Sequence, residues 1–457
     1  MLVIEDSGVQ HKQDAVTIDR RRPQGHRNPH ENRQLINNLI NIKDETGHFL
    51  LKLPDGRIID TKGWNDWEWT HGIGLYGLYQ YHTLTSSPFA LKVVQDWFSA
   101  RLAEGTTKNI NTMAALLTLA YLYEQTGEKS YLPWLDSWCE WAMYELPRTT
   151  FGGMQHITYL EENHNQLWDD TLMMTVLPLA KIGTLLHRPH YVEEAKRQFL
   201  LHIQYLYDAP TGLFFHGWQF DDENKNARGG GSLGHSFARA RWARGNSWLT
   251  IAIPDFLELL DNTSGGGPDD GFKAYLVNVL EAQCRALRRL QTSEGTWRTL
   301  LDMSEEEGSY QEASATAGFA YGLLKSIRKR YISKKEYLDI AIKAVKAVLR
   351  RINQDGELVD VSFGTAMGHD LQHYVDIERT SMPYGQAMAI MALVEFLRVS
   401  QDEPRLKVDV AFRSILGSML YVEPLDVKVL TDQKAFCLIK ESWAFKTEST
   451  WIITGFK

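Results

Sequence analysis

The sequence predicts an all-α protein, and within that class an (α/α)6 barrel of six helical hairpins. Apolar residues recur at helical spacing through most of the 457 residues, as at Leu338, Ile342, Val345 and Leu349. Strand-like alternation of apolar and polar residues is scarce before residue 420. Helices that are apolar nearly all round alternate with amphipathic ones at intervals of roughly 45 to 75 residues, which predicts a buried inner ring and a half-exposed outer ring.

Each of the six apolar segments opens with a small cluster of polar or aromatic residues. The clusters occupy 64–72, 109–111, 165–170, 237–248, 310–316 and 382–386. Amphipathic outer helices are expected between them, for example over 130–144, 190–207 and 334–351. In a barrel of this kind the same end of every inner helix lies on one open face, so the six clusters are expected to line a pocket there.

Three segments are expected along the chain. Residues 1–28 form a loose polar leader, with too few consecutive apolar residues for a signal-peptide core or a membrane span. Residues 29–421 form the barrel, which is the catalytic domain. Residues 422–457 form an atypical C-terminal tail with β-leaning runs that do not continue the helical pattern.

The composition argues against several classes of function. A net charge of -8 without a basic stripe argues against a nucleic-acid surface, and no stretch approaches the roughly 20 apolar residues of a membrane helix. The cysteines Cys139, Cys284 and Cys437 are widely spaced and form no CxxC pair, so neither disulfides nor structural zinc is indicated. A reducing, cytoplasmic location fits that pattern. The 14 Trp, 19 Tyr and 18 Phe supply rings that stack on sugar faces as well as filling a core.

Neither a metal ion nor a cofactor is expected. HExxH, the EF-hand loop, the P-loop and the GxSxG elbow are all absent. Two histidine pairs fall at i, i+4, namely His26 with His30 in the leader and His369 with His373 before the last inner helix. Hydrogen-bonded or solvated histidines are favoured over a metal site for the second pair. The glycine run at 229–231 sits in a polar loop and is only a weak candidate for a nucleotide loop.

Two adjacent acids, Asp169 and Asp170, stand at the head of a mostly apolar segment. One interpretation is a helix N-cap, because a carboxylate there bonds free backbone N–H groups. The other is an acid held beside Trp168 in a poorly solvated pocket, with its pKa raised towards the range where it can donate a proton. The sequence leaves the balance between these two interpretations open.

A histidine and a run of arginines are further candidates. His216 follows a turn among aromatic residues and is either a hydrogen-bonded core residue or part of a site. Three Arg enter the apolar helix that begins near Trp248, and a buried guanidinium needs an anion. Arg244 is therefore either paired to Asp169 or Glu312 as a structural bridge, or a clamp for an acidic ligand, with Trp242 or Trp248 as a stacking platform.

Six motifs together resemble glycoside hydrolase family 105, the unsaturated rhamnogalacturonyl and glucuronyl hydrolases. They are WTHGIGLYGL, NINTMAALLTLAYLYE, QLWDDTLMM, WARGNSW, YQEASATAGFAYGL and GHDLQHYVDIERTSMPYGQA. Each motif alone is weak, but all six occur in the order of the family, from about Trp64 to Arg398.

The resemblance implies an (α/α)6 barrel and an unusual reaction. The family acts on the Δ4,5-unsaturated uronic acid that a polysaccharide lyase leaves at the non-reducing end of an oligosaccharide. An acid protonates C4 while water adds at C5, and the resulting hemiketal opens and releases the neighbouring sugar. A single Asp serves as proton donor and then as base, in place of the two carboxylates of ordinary glycosidases. The implied partner is an unsaturated oligosaccharide, with no nucleic acid and no membrane.

The resemblance also implies roles for individual residues. Asp170 matches the catalytic Asp, and Asp169 is expected to support it. The substrate-binding residues implied by the match are His216, Arg244, Trp242, Trp69, His71, Asn111 and Trp248. Weaker matches are Trp297, Glu312 and Ser314. A second Asp that several relatives have on the second inner helix is replaced here by Asn109 or Asn111.

Two other functions remain open at this level. An inverting glycosidase on the same barrel would pair Asp170 with a distant acid such as Asp66 or Glu312 and cut saturated chains. A non-catalytic sugar-binding barrel would keep the aromatic rings and leave the acid idle. The sugar that is released and the oligomeric state are not determined by the sequence.

Overall fold

The computed structural model describes residues 34–221, 234–263 and 271–402. The predictions for the leader at 1–28, the tail at 422–457 and the glycine run at 229–231 therefore lie outside the described residues. The described helices are, in chain order, α1 (Gln34–Asn41), α2 (Trp69–Thr85), α3 (Pro88–Glu104), α4 (Ala115–Thr126), α5 (Leu132–Glu140), α6 (Leu177–Leu185), α7 (Pro189–Leu206), α8 (Ala243–Thr263), α9 (Gly271–Leu290), α10 (Ala313–Arg328), α11 (Lys334–Arg350), α12 (Leu371–Val375) and α13 (Pro383–Asp402).

Six of these helices form a closed inner ring. Helices α2, α4, α6, α8, α10 and α13 each pack against the next, and α13 packs against α2. These helices follow the six polar or aromatic clusters of the sequence, and their side chains are buried almost all round. The predicted (α/α)6 barrel is confirmed.

The other long helices pack outside the ring. Helix α3 packs on α2, α5 on α4 and α6, α7 on α6, α9 on α8, and α11 on α10. The sixth inner helix, α13, packs against α1 from the start of the described chain. The outer helices expected over 130–144, 190–207 and 334–351 correspond to α5, α7 and α11.

Glycines allow the inner helices to approach one another closely. A Cβ atom built on Gly322 of α10 would lie 2.1 Å from the carbonyl oxygen of Thr250 on α8. A Cβ on Gly77 of α2 would lie 2.9 Å from the carbonyl oxygen of Ala387 on α13. Both distances are far below van der Waals contact, so only glycine fits at these helix crossings.

Short strands occupy the loops that connect the helices. Within the described ranges they are β1 (Leu50–Lys52), β2 (Ile58–Asp60), β3 (Gln166–Trp168), β4 (Tyr207–Asp208), β5 (Leu213–Phe214), β6 (Gly217–Phe220), β7 (Gly234–His235), β8 (Trp297–Arg298) and β9 (Gln311–Glu312). All pairings are antiparallel, and β3, β6 and β7 form a three-stranded sheet in that order. The helical pattern did not reveal these strands because each has at most four residues.

No helix in the part of the chain that the structure describes is long and apolar enough to cross a membrane.

Candidate active site

The pairing of β3 with β6 brings the acid pair beside His216. Trp168, the last residue of β3, pairs with Gly217, the first residue of β6. The Asp169 N–H then donates to the His216 carbonyl oxygen at 2.9 Å, and the His216 N–H donates to the Ala240 carbonyl oxygen at 3.0 Å. The strand register therefore places side chains from distant parts of the sequence next to one another.

Asp170 and His216 form a hydrogen-bonded pair at the open end of the barrel. Nε2 of His216 lies 3.2 Å from Oδ2 of Asp170. The His216 side chain is 1% exposed, whereas that of Asp170 is 16% exposed. Asp170 is thus the member of the pair that a ligand can reach.

Tyr374 orients the imidazole from the other side. Its hydroxyl lies 2.7 Å from Nδ1 of His216 and accepts a hydrogen bond of 2.9 Å from the Gly368 N–H. The hydroxyl proton is then free to point at Nδ1, which makes Nδ1 the acceptor and Nε2 the protonated nitrogen in the neutral ring. In this tautomer His216 donates to Asp170.

Asp169 has a different environment from Asp170. It is fully buried, and neither carboxyl oxygen has a well-aligned hydrogen-bond donor among the described residues. It packs against the first turn of α8, where a Cβ on Gly245 would lie 2.3 Å from Oδ2 of Asp169. Burial, followed by the neighbouring charge of Asp170, raises the pKa of Asp169 well above its usual range.

The pKa of Asp170 moves the other way. Burial opposes its ionisation, but the hydrogen bond and the charge of His216 outweigh burial and lower the pKa of Asp170 far below its usual range. The sequence hypothesis of a raised pKa beside Trp168 therefore applies to Asp169. Asp169 does directly precede the helical residues that begin at Asp170, but its side-chain oxygens accept no well-aligned hydrogen bond from a backbone N–H of the described residues, so the capping bond of the N-cap interpretation is absent.

A widened helical turn separates the acids from α6. Residues Leu172–Val176 form a π-helical turn. Pro178, in the first turn of α6, has no N–H to donate to the Met174 carbonyl oxygen, which favours a change of register here. The Thr175 hydroxyl donates to the Ile110 carbonyl oxygen at 2.9 Å, which ties this turn to the start of the second hairpin. Such turns are common at functional sites.

Aromatic rings and a second histidine enclose the acid pair. Trp168 stacks on His156 with ring centres 4.1 Å apart, and its ring meets His216 edge-on at 5.5 Å. Trp242 lies 4.5 Å from the His216 ring and is 1% exposed. Burial lowers the pKa of His156 to about 3, so this ring is neutral at neutral pH. The sequence analysis missed His156, which lies in a loop without a motif and 60 residues from its counterpart His216.

Arg244 is placed differently from the sequence prediction. It is fully buried, and its Nη1 donates to the carbonyl oxygen of Ser362 at 2.6 Å and also contacts the Ser362 hydroxyl. Its Nη2 donates to the Phe363 carbonyl oxygen at 2.8 Å. Within the described ranges Arg244 forms no ion pair, so the structural bridge to Asp169 or Glu312 is wrong. In this geometry Arg244 supports the 362–363 segment and does not itself face the pocket.

The residues from the first inner helix divide into two groups. Trp69 is half-buried, packs 4.5 Å from the Tyr384 ring and meets the buried Trp248 edge-on at 5.9 Å. His71 is fully buried, accepts the Glu68 N–H at Nδ1 and contacts the Gly63 carbonyl oxygen through Nε2. His71 therefore caps α2, which corrects its expected place on the rim.

Asn109 and Asn111 begin the second inner helix. The Asn109 side chain accepts the Thr112 N–H at 2.9 Å and is buried. The half-buried Asn111 forms a side-chain hydrogen bond with Glu68, and burial raises the pKa of Glu68 to about 8.

The weaker candidates Glu312, Ser314 and Trp297 have structural roles. Glu312 accepts the N–H groups of Ser314, Ala315 and Ser362. Trp297 is likewise buried and donates to the Leu287 carbonyl oxygen.

Ring contacts or hydrogen bonds engage the histidines in both groups of residues that could hold a metal ion. His369 packs against Phe237, whereas His373 bonds the Thr365 hydroxyl at 2.6 Å, so the i, i+4 pair does not converge. The ligand atoms of Asp169, Asp170 and His216 lie within 4.8 Å of one another. Tyr374 and Asp170 engage both ring nitrogens of His216.

A cavity of about 650 Å³ is lined by Trp168, the residue that directly precedes the acid pair, whereas Asp169, Asp170 and His216 are not among its lining residues. Trp168 forms part of its wall, together with Phe237 and Met367. Polar residues complete the lining, among them Glu161, Glu162, His164, Gln166, Gln219 and His369. An aromatic wall with convergent polar groups is typical of a site that binds a sugar unit.

The fold and the site together have the features of a carbohydrate-active barrel enzyme. Asp170 is held between imidazole and indole rings, and Trp168 beside it lines an open cavity. The chain belongs to Glycosyl Hydrolase Family 88, because the sequence model of that family matches residues 41–400. It is therefore a glycoside hydrolase.

Solved structures and a characterised protein agree with this placement. A structure from Salmonella enterica serovar Paratyphi A, described as a possible member of the GH105 family, is 58% identical with a TM-score of 0.75, covering 83% of this chain and 96% of that one. A second such structure, from Klebsiella pneumoniae, is 55% identical with a TM-score of 0.75, covering 84% and 99%. The unsaturated rhamnogalacturonyl hydrolase YesR of Bacillus subtilis is 29% identical over 341 residues, 73% of this chain and 91% of its own. The resemblance to family 105 is confirmed.

Proposed function

We propose that this enzyme removes a Δ4,5-unsaturated uronic acid from the non-reducing end of lyase-generated oligosaccharides by hydration of the C4=C5 double bond. The observation that carries the proposal is the Asp170–His216 pair, in which a carboxyl group that is 16% exposed is held by a buried imidazole. Asp170 delivers a proton to C4 and then accepts a proton from the water that adds at C5. The hydrated sugar opens and the neighbouring sugar leaves.

The contacts of the other candidate acids argue against ordinary glycoside hydrolysis. An inverting or retaining enzyme needs a second free carboxylate across the scissile bond. Asp66 accepts the Asp60 N–H at 2.7 Å and the Trp67 N–H at 2.8 Å. Glu312 is fully buried and accepts several backbone N–H groups. Both acids are therefore committed to the backbone, so neither Asp66 nor Glu312 is available as the second carboxylate.

The finer substrate assignment rests on the characterised relative. YesR is named for unsaturated rhamnogalacturonyl substrates and matches most of this chain. We therefore assign the same substrate class, in which the leaving sugar is rhamnose and occupies the cavity beside Trp168. Trp168 forms the wall nearest the uronate, whereas the buried His216 and Trp242 act on the substrate only through Asp170. Trp69 and Asn111 lie on the side of the first two hairpins.

The non-catalytic binding barrel is disfavoured by the same site. A binding protein has no need for a histidine held in one tautomer against a buried carboxyl pair. Here Tyr374 holds His216 from one side and Asp170 engages it from the other. Such a chain of oriented donors is typical of proton transfer.

The test follows the ultraviolet absorbance of the conjugated uronate on lyase-generated disaccharides from rhamnogalacturonan and from glucuronan-type chains. Wild type removes the absorbance and Asp170→Asn does not, while binding of the substrate by calorimetry is retained in the variant. Asp261→Asn, an exposed substitution near the end of α8, serves as the matched control and keeps full activity. Unchanged absorbance with wild type on every unsaturated substrate would reject the proposal.

We also propose a reducing compartment as the place of action. The described cysteines Cys139 and Cys284 are free and buried. Short unsaturated oligosaccharides would then enter the cell before cleavage. Recovery of the native protein from the culture supernatant would contradict this location.

A further inference from the structure

Asp169 has no assigned role in the proposed hydration reaction. Asp169 is fully buried, directly precedes Asp170 in the chain, and has no well-aligned donor within the described residues. A purely structural carboxyl group at such a position is normally satisfied by hydrogen bonds, because an unpaired buried polar group is costly. The absence of those bonds calls for a different explanation.

A proton shared by the two acids explains why Asp169 lacks another donor, because the side chains of Asp169 and Asp170 are hydrogen-bonded to each other. Their carboxyl oxygens lie within 4.8 Å of each other in a site closed by Trp168, Trp242 and Gly245. Two carboxylates so close in a poorly solvated pocket cannot both carry a negative charge. Asp170 accepts a hydrogen bond from His216 and is stabilised as the carboxylate, so the proton resides on Asp169.

We infer that Asp169 is a positioning residue that stores the catalytic proton and supplies it to Asp170. This inference rests on the proposed hydration reaction. The hydration reaction needs Asp170 to donate a proton, but the hydrogen bond from His216 favours the ionised form of Asp170. A proton supplied by Asp169 resolves this conflict. Asp169 does not touch the substrate, because its side chain is not exposed.

The charged and titratable groups around Asp169 are consistent with this role. Asp170 is its neighbour in the chain, and His216 comes from the residue before β6. The positive charge of Arg244 on α8 favours the ionised form of Asp169 and so partly offsets the rise of its pKa. The charge of Asp169 contributes to the raised pKa of Tyr374 on α12. His156, on the far face of Trp168, is neutral at neutral pH.

The proton balance of the step closes without another reactant. The O–H bond of Asp169 breaks as an O–H bond forms on Asp170, which then gives the proton to C4 as the C4=C5 electron pair forms the new C–H bond. Water forms the new C–O bond at C5 and gives one proton to the Asp170 carboxylate. That proton returns to Asp169, so the pair is regenerated and one water is consumed.

The kinetic test is Asp169→Asn, which keeps the shape of the side chain and removes the stored proton. Without the store, Asp170 is ionised at neutral pH, so we expect kcat at pH 7 to fall by about 10- to 100-fold. The activity should recover as the pH is lowered, and KM should stay within about twofold of wild type. Asp261→Asn should leave the pH profile unchanged.

A structural role for Asp169 would give a different result. If Asp169→Asn lowers kcat equally at every pH, or keeps the wild-type pH profile, the inference is overturned. If wild type itself is inactive on all unsaturated substrates, the proposed function fails. That result is distinguishable from failure of the Asp169 inference, in which wild type is active and only the pH dependence of Asp169→Asn differs from the expectation.

A second measurement does not depend on activity or on the folding of that variant. Carbon-13 NMR of labelled aspartate carboxyl groups should show the Asp169 carboxyl group titrating well above the usual range of an aspartic acid in wild type. In Asp170→Asn that group should titrate at lower pH, because the neighbouring negative charge has been removed. An Asp169 signal that titrates identically in both proteins would contradict the shared proton.

Discussion

The Nε2 atom of His216 lies 3.2 Å from Oδ2 of Asp170, although 46 residues separate the two in the chain. The contact exists because β3 and β6 pair in a register that sets Trp168 opposite Gly217. Tyr374 then completes the chain of hydrogen bonds from the other side of the ring.

Tyr374→Phe should lower kcat about tenfold, which corresponds to about 1.4 kcal/mol in the barrier. The phenyl ring fills the same space, but Nδ1 of His216 loses the hydroxyl that defines its tautomer. KM should change little, since the buried Tyr374 does not face the substrate. Steady-state kinetics beside Tyr144→Phe, an exposed tyrosine, provide the comparison. A kcat equal to that of wild type would show that Tyr374 does not orient His216.

Asp169→Asn should stabilise the protein as the pH rises. The folded-state pKa of Asp169 is raised, so its contribution to stability is fully present below the unfolded pKa of about 3.9 and is lost as pH rises towards the folded value. Asparagine does not titrate, so the variant should gain about 1.4 kcal/mol over wild type for each pH unit in that window.

Thermal unfolding of wild type and Asp169→Asn at a series of pH values measures this gain. Asp170 has the opposite effect on the pH dependence of stability, because its folded-state pKa is lowered. Its contribution to the free energy of unfolding is present above the unfolded pKa and is lost as the pH falls into strong acid. Parallel Tm curves for the two proteins above pH 4 would mean that Asp169 is ionised in the folded state.

Arg244→Lys should destabilise the protein by about 1–3 kcal/mol, measured by urea unfolding. Arg244 donates to the carbonyl oxygens of Ser362 and Phe363 with separate nitrogens, and a lysine cannot bridge both. The exposed Arg288→Lys on α9 should be neutral. A variant of full stability with a large rise in KM would instead show that Arg244 binds the substrate carboxylate.

Gly322→Ala should cost about 1–3 kcal/mol of stability, because the new methyl group would lie 2.1 Å from the Thr250 carbonyl oxygen at an inner-helix crossing. Gly271→Ala at the start of α9 is the matched control, since no atom lies within 4 Å of its Cβ position. That control should be neutral or slightly stabilising. Equal Tm values for the two variants would contradict close packing between α8 and α10.

The fold was predictable because it depends on a repeated local pattern. Six apolar segments and their polar openings correspond to six inner helices, and the alternation with amphipathic segments places the outer ones. The short strands were not predicted, since two to four residues give no periodicity to detect. Yet β3 and β6 are the elements that assemble the site.

The candidate site was predicted in composition and only partly in geometry. Asp170 and His216 do meet. His71 and Arg244, however, turn inwards to backbone carbonyl oxygens, because a buried donor is satisfied by whatever acceptor lies nearest. His156 was missed because nothing in its sequence neighbourhood distinguishes it from a loop histidine.

The sequence by itself determined the barrel, the family motifs and the residue types that can perform acid chemistry. Only the tertiary structure decided which of two adjacent carboxyl groups is partly exposed and which one is fully buried with a raised pKa. The physical reason is that Asp169 and Asp170 have the same chemistry in isolation. Their different pKa values arise from burial against Gly245 for Asp169 and from the His216 hydrogen bond for Asp170. Both of those partners come from parts of the chain that only folding brings together.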